Sequence, residues 1–293
     1  MNEPRIAVTG GQGQLGQTLQ SLVKQSELSA RISILARSEL DIVDLNAVNQ
    51  VLGDINPDVV INGAAYTAVD KAETESDLAF AVNATGCENL ALFARKNSTW
   101  LIHISTDFVF DGKANTPYIP ESATAPLGVY GASKLAGERV LVRENAEQTT
   151  IVRTSWLYSE YGHNFVKTML RLMEEKEELG IVDDQMGSPT STHSLARLLL
   201  TMARHAAQPG IYHWNDGGAI TWFEFAKSIR QFGLELGLLE NPAHLTPIST
   251  ADYPTPATRP AYSVLSRQST IDTFGVRPSN WSDELRSVLN ALR

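Results

Sequence analysis

Residues 5–9 form a short apolar run that ends on Gly10-Gly11-Gln12-Gly13-Gln14-Leu15-Gly16, with glycines at 10, 13 and 16. Leu15, Leu19, Leu22 and Val23 then recur at the period of an amphipathic helix. The segment reads as strand, tight turn and helix, and no other stretch constrains the fold as much. Glycine at these positions permits a sharp turn, leaves bare backbone for a pyrophosphate to approach, and lets helix pack closely on strand. The helix N-terminus then offers unpaired N–H groups and a partial positive charge. The expectation is an α/β chain with a Rossmann-type, doubly wound parallel sheet that binds a dinucleotide over Gly10, Gly13 and Gly16.

The second apolar run, residues 32–36, ends at Ala36-Arg37-Ser38. An acidic residue at this strand end would hydrogen-bond the adenosine ribose and repel a 2′-phosphate. With no carboxylate at the end and a guanidinium next to it, NADPH is the expected, preferred cofactor and NADH the alternative. Arg37 as a solvated loop cation is the competing reading. A third buried run, residues 58–62, leads into Gly63-Ala64-Ala65-Tyr66-Thr67. Small residues at the carboxyl end of a parallel strand let a cofactor lie against backbone, so Ala65, Tyr66 and Thr67 are expected cofactor contacts.

Residues 76–95 carry the pattern of a long, half-buried helix that includes Asn83. Residues 100–107 form a strand ending in Ser105-Thr106-Asp107, and residues 108–128, rich in proline and glycine, read as a covering loop. Next comes Tyr130-Gly131-Ala132-Ser133-Lys134, a tyrosine and a lysine on one helix face. Alone, a phenol titrates near ~10 and an ammonium near ~10.4. A nearby ammonium favours the phenolate and makes the tyrosine a better acid. The plain alternative is a half-buried tyrosine covered by a lysine stem. A hydroxyl from Ser105 or Thr106 could bind the carbonyl oxygen that Tyr130 protonates.

The chain of 293 residues is long enough for a large α/β domain with a smaller one on top. Its formal net charge of −9 argues against nucleic acid or a membrane surface as partner. The lone cysteine, Cys87, lies in an apolar helical stretch and excludes an intramolecular disulfide. The N-terminus runs almost directly into the first strand and no apolar stretch is long enough to span a bilayer, so a cytoplasmic location is expected. The six histidines have no ligand spacing, and no metal is expected.

Further blocks are distinctive: Ser105-Thr106-Asp107-Phe108-Val109-Phe110-Asp111-Gly112, Val129-Tyr130-Gly131-Ala132-Ser133-Lys134-Leu135-Ala136-Gly137-Glu138, and Arg153-Thr154-Ser155-Trp156-Leu157-Tyr158. Residues 67–73, 184–190 and 253–260 add to them. Together they resemble the extended short-chain dehydrogenase/reductase family, in its branch of dTDP-sugar ketoreductases. That resemblance implies NAD(P)H-dependent reduction of the C4 ketone of dTDP-4-dehydro-6-deoxy-L-mannose to dTDP-L-rhamnose, a donor for cell-surface polysaccharides. It implies that Tyr130 donates the proton, Thr106 polarises the oxygen, and Lys134 binds the nicotinamide ribose and lowers the Tyr130 pKa. It places Gly13, Gln14 and Leu15 at the pyrophosphate, Asp41 and Ile42 at the adenine, and Thr106, Asp107 and Trp156 at the nucleotide-sugar substrate. Arg259 is assigned to the diphosphate, because a guanidinium matches two phosphate oxygens at once; a loop-stabilising arginine is the alternative. Ala36 departs from members with an acidic strand end, and Met186 stands where an aromatic residue is common. Gln17 replaces a glutamate that holds an interface metal in some relatives, so no metal carries over.

Residues 1–150 are read as the dinucleotide domain. Residues 151–293 are read mainly as a smaller α/β substrate-binding region, with some segments returning to the first. Helices are expected over 165–173, 195–203 and 223–229, a strand over 211–214, and an ordered loop over 242–260. The protein is expected to act as a monomer or homodimer. Two other readings share the fold: a nucleotide-sugar epimerase or dehydratase, and a non-catalytic regulatory subunit resembling that of methionine adenosyltransferase.

Overall fold

The computed structural model describes residues 3–24, 31–205 and 208–293. The first half runs β1 (Ile6–Thr9), α1 (Gln14–Lys24), β2 (Ile32–Leu35), α2 (Leu45–Ile55), β3 (Val59–Asn62), α3 (Val69–Ala72), α4 (Ser76–Phe80), α5 (Gly86–Asn97), β4 (Trp100–Thr106), α6 (Val129–Asn145) and β5 (Thr149–Thr154). It continues through β6 (Leu157–Tyr158), α7 (Phe165–Glu175), β7 (Glu178–Val182), β8 (Met186–Gly187), β9 (Thr190–Ser191) and α8 (Thr192–Arg204). Last come β10 (Gly210–Trp214), β11 (Ile220–Thr221), α9 (Trp222–Glu235), β12 (His244–Ile248), α10 (Gln268–Phe274) and α11 (Trp281–Ala291).

Six strands form one parallel sheet in the order β10-β5-β4-β3-β1-β2. Side chains alternate across a strand, and both faces are covered, which is why these runs are apolar throughout. Ile6 and Val8 meet α1 and α8 through Leu15, Leu19, Leu195 and Leu199. Ala7 and Val60 face Val48, Leu52, Leu90 and Phe93 on the other side. Asp44 caps α2, its carboxylate accepting from the Asn46 and Ala47 N–H groups, and Asn56 ends the helix in the left-handed region. Because β1 has β2 on one side and β3 on the other, the strand order reverses there. The crevice at the carboxyl ends of β1 and β3 is where such sheets hold ligands.

The sixth strand, β10, comes from the C-terminal half, as do α8 and α10 packed beside it. The remaining C-terminal elements build a second core in which α7, α9 and α11 close around Met173, Phe225, Ile229 and Leu289. The expected loop over 242–260 contains a strand: β12 pairs in parallel with β7, His244 opposite Glu178 through Ile248 opposite Val182. Pro247 is tolerated because β12 lies at the edge of a two-stranded sheet, where one side needs no donor. The helix expected over 76–95 is interrupted by a π turn, Ala81–Thr85, between α4 and α5.

Candidate active site

The glycine turn is packed so closely that side chains are excluded. Gly10 has φ 76°, and a Cβ there would come within 2.7 Å of the Gly63 carbonyl. A Cβ on Gly16 would meet the Gly10 carbonyl oxygen at 2.5 Å. Gly13 is freer and faces a cavity of about 240 Å³ lined also by Arg37, Asp41, Ile42, Ala65 and Tyr66. The bare turn, the helix N-terminus and this cavity fit a dinucleotide. Side chains of the neighbouring positions go elsewhere. Leu15 is buried in the core, and Gln14 Oε1 accepts from Ser159 Oγ at 3.0 Å and Asn164 Nδ2 at 2.9 Å. Leu15 thus has only its backbone to offer a pyrophosphate. Thr67 does not line the cavity.

Arg37 is exposed and pairs with Asp41, Nη2 to Oδ2 at 3.1 Å. The second strand ends without its own carboxylate, yet Glu39 folds back so that its Oε2 accepts from the Ala36 N–H at 2.8 Å. Tyr66 is fixed through its backbone. Asn83 Oδ1 accepts from its N–H at 2.9 Å, and Asn83 Nδ2 donates to its carbonyl at 3.1 Å and to Ser133 Oγ at 2.9 Å. Asn83 lies in the π turn, whose extra residue re-aims side chains along the helix. One amide thereby ties the loop after β3 to α6.

The register of β4 on β5 sets Thr106 beside Thr154, and α6 returns over the same sheet edge. Glu73 Oε1 accepts from the Val129 N–H at 2.9 Å and so caps the first turn of α6. Half-buried Tyr130 in that turn meets the Phe108 ring edge-on at 5.5 Å. Burial pushes its phenol up to about 12, and the adjacent Thr106 hydroxyl works against that rise. Lys134 is fully buried. Its Nζ donates to the Ile104 carbonyl at 2.6 Å and lies 3.2 Å from His103 Nε2. Lys134 is thus held by β4, and the groups that set the Tyr130 shift are burial, the Thr106 hydroxyl and the Asp107 carboxylate.

Thr106 Oγ1 donates to Asp107 Oδ1 at 3.0 Å and accepts from the Phe108 N–H. Asp107 is buried, its Oδ2 has no hydrogen-bond partner among the described residues, and burial raises its carboxyl to about 6 against the hydrogen bonds from Ser263 and Thr106. An under-satisfied acceptor at this strand end is suited to a ligand hydroxyl. Trp156 follows β5 with φ 48° and stacks flat on Trp222 at 3.5 Å. A Cβ on Gly187 would come within 2.5 Å of the Trp156 indole, which accounts for glycine after Met186. Arg259 is engaged by Asp70 on α3, Nη2 to Oδ2 at 2.8 Å.

Three supports were not singled out from sequence: Glu73, Glu138 and Arg153. Glu138 and Arg153 form an ion pair with each side chain 3% exposed, at 2.7 and 2.9 Å, and Ser105 Oγ donates to Glu138 Oε1. This clamps α6 to β4 and β5 directly under the site. Losing one partner of such a buried pair costs about 3–5 kcal/mol. All three residues lie in the distinctive blocks, but their pairing across the chain has no local pattern. Among the described residues, no His, Cys, Asp and Glu are grouped to hold a metal, and no helix is long and apolar enough to cross a membrane.

A six-stranded parallel sheet, a glycine turn at its switch point and a Thr, Tyr and Lys set at the same edge define the class of extended short-chain dehydrogenase/reductases. The family model described as RmlD substrate binding domain matches residues 4–293, and the chain belongs to that family. It is 42% identical to the dTDP-4-dehydrorhamnose reductase of Sinorhizobium fredii, over 98% of this chain and 97% of that one. It is 40% identical to the spore coat polysaccharide biosynthesis protein SpsK of Bacillus subtilis, over 97% and 96%. The crystal structure of dTDP-4-dehydrorhamnose reductase from Bacillus anthracis in complex with NADP matches with a TM-score of 0.90 at 37% identity, covering 98% of this chain and 99% of that one.

Proposed function

We propose that this chain is an NAD(P)H-dependent ketoreductase that converts dTDP-4-dehydro-6-deoxy-L-mannose to dTDP-L-rhamnose. The observation that carries the reading is the likeness to dTDP-4-dehydrorhamnose reductases along both halves, so that the substrate region agrees as well as the glycine turn. Residues 1–150 form the cofactor half, and residues 151–293 mainly the substrate half, apart from α8, β10 and α10. The protein acts in the cytoplasm, as a monomer or homodimer.

Gly10, Gly13 and Gly16 and the backbone of Gln14 and Leu15 hold the pyrophosphate of the cofactor, with Asp41, Ile42, Ala65 and Tyr66 around its adenosine half. Arg37 faces a 2′-phosphate. When bound, the reduced nicotinamide supplies the hydride. Thr106 hydrogen-bonds the ketone oxygen, and Tyr130 gives its proton to that oxygen as alkoxide charge develops. Lys134 stands one turn further along α6, where an ammonium strengthens the Tyr130 acid. Asp107 and Trp156 position the sugar, and Arg259 meets the diphosphate.

The test is absorbance of the reduced nicotinamide band when purified protein meets dTDP-4-dehydrorhamnose with NADPH and, separately, NADH. Oxidation that depends on the sugar nucleotide is expected, faster with NADPH at limiting cofactor. No oxidation with either, in protein that binds cofactor, would refute the reading.

A further inference from the structure

Past β6 the chain turns back onto the glycine turn. Ser159, fully buried, and Asn164, the N-cap of α7, both meet the Gln14 side chain, Ser159 Oγ at 3.0 Å and Asn164 Nδ2 at 2.9 Å. Backbone groups fix which end of each amide is involved. Asn164 Oδ1 accepts from the Lys167 N–H at 3.2 Å, while Nδ2 faces the carbonyls of Ser159 at 2.8 Å and Tyr161 at 3.2 Å. Carbonyls only accept, so Nδ2 is the donor end and the Gln14 atom beside it is Oε1. Ser159 Oγ accepts from the Tyr161 N–H at 3.1 Å, so its proton can turn to the same oxygen. The packing is close as well: Gly162 has φ 58°, and a Cβ there would come within 3.1 Å of Gln14 Cγ.

The acceptor end of Gln14 is thus taken up, and its donor end, Nε2, has no hydrogen-bond partner among the described residues. Gln14 is the first residue of α1, at the end of the helix whose N–H groups lack intrahelical partners. An oxyanion at that end is attracted by an N–H and repelled by a carbonyl oxygen. The sense of this one amide therefore decides whether the side chain helps or hinders a pyrophosphate. We propose that Asn164 is a positioning residue for the cofactor: reaching in from beyond β6, it engages Gln14 Oε1 and leaves Nε2 to the pyrophosphate. The cofactor turn is then completed by a segment that starts three residues after Trp156, on the side read as substrate-binding. The inference rests on the dinucleotide part of the ketoreductase reading and not on the identity of the sugar.

The test is fluorescence titration of the full chain with NADPH, with no sugar nucleotide added. Asn164→Ser keeps a capping oxygen for α7 and removes the donor to Gln14. The NADPH dissociation constant should rise roughly tenfold, as for one lost hydrogen bond to a charged group, at a nearly unchanged melting temperature. Gln14→Leu should weaken NADPH by itself, and Asn164→Ser should add nothing in that background, because it acts through the Gln14 amide. Ser159→Ala removes the other donor and should weaken NADPH in the same sense; it serves if Asn164→Ser does not fold. An unchanged dissociation constant in Asn164→Ser, or a loss that simply adds to that of Gln14→Leu, would overturn the proposal and leave these bonds as seats for α7. Wild-type protein that binds no NADPH would overturn the cofactor reading itself, whereas wild-type binding with unmoved variants overturns this inference alone.

Discussion

Arg259 closes both arms of its guanidinium on Asp70, Nη2 on Oδ2 at 2.8 Å and Nη1 on Oδ1 at 3.1 Å, across 189 positions of chain. The Ala257 N–H adds a bond to Oδ1, and Arg259 Nη1 also donates to Thr255 Oγ1. Hydrogen bonding from Arg259, ahead of all other causes, holds the Asp70 carboxyl below its ordinary range. The proline-rich segment is thus seated on α3, three residues before the glutamate that caps α6.

Arg259→Ala should therefore raise KM for the sugar nucleotide by roughly tenfold, about 1.4 kcal/mol, with cofactor affinity unchanged. Asp70→Asn should raise it less, because the guanidinium stays available to the diphosphate. Steady-state kinetics of both and of the double variant separate the roles. Equal and non-additive losses would mean that Arg259 is a loop clamp only.

Tyr130→Phe removes the proton that the alkoxide needs and leaves the ring that packs on Phe108. kcat should fall by roughly 10²-fold or more, with nearly unchanged affinity for NADPH. Turnover at the wild-type rate, measured under saturating cofactor, would rule the phenol out as the acid.

The glycine turn, the strand ends and the Tyr130–Lys134 spacing were legible because each is a local pattern with one physical meaning. What was not legible depends on groups meeting across the chain. Asn83 reads as an ordinary helix residue, and only the π turn directs it to both Tyr66 and Ser133. Proline and threonine over 242–260 suit an ordered loop more than a helix, yet the free edge of β7 takes up five of these residues as β12. The partner of Lys134 could not be read from i, i+4 spacing, since its Nζ turns from Tyr130 to β4.

Arg37 and Asp41 face each other in the lining of the cavity beside the glycine turn. A 2′-phosphate competes with Asp41 for the guanidinium, so Arg37→Ala should weaken NADPH by roughly tenfold and NADH little, as expected for one charge-assisted contact in partly exposed surroundings. Asp41→Asn, which removes the competing carboxylate, should shift the ratio toward NADPH. Fluorescence titration of both cofactors reads each ratio. Equal losses for the two cofactors in Arg37→Ala would leave Arg37 as a loop cation.

Asp216, just past β10, is buried; its Oδ2 accepts from the Ser191 N–H at 2.7 Å, and its Oδ1 has no hydrogen-bond partner among the described residues. Burial raises its carboxyl to about 7, although hydrogen bonds from Ser194 and Ser191 oppose the rise. The unfolded chain releases the same proton near ~3.9. A folded pKa above the unfolded one means that the native state binds more protons over this window, so its stabilisation is complete below about pH 4 and is lost as pH rises through about 7. A shift of that size is worth of order 4 kcal/mol across the window. Asp216→Asn is neutral throughout, so the stability of wild type minus variant should decline between about pH 4 and pH 7 and level off above. Denaturant unfolding of both proteins across this range reads the difference directly. A difference independent of pH would show that Asp216 ionises in the fold as it does in the unfolded chain, and that its orphaned oxygen is solvated after all.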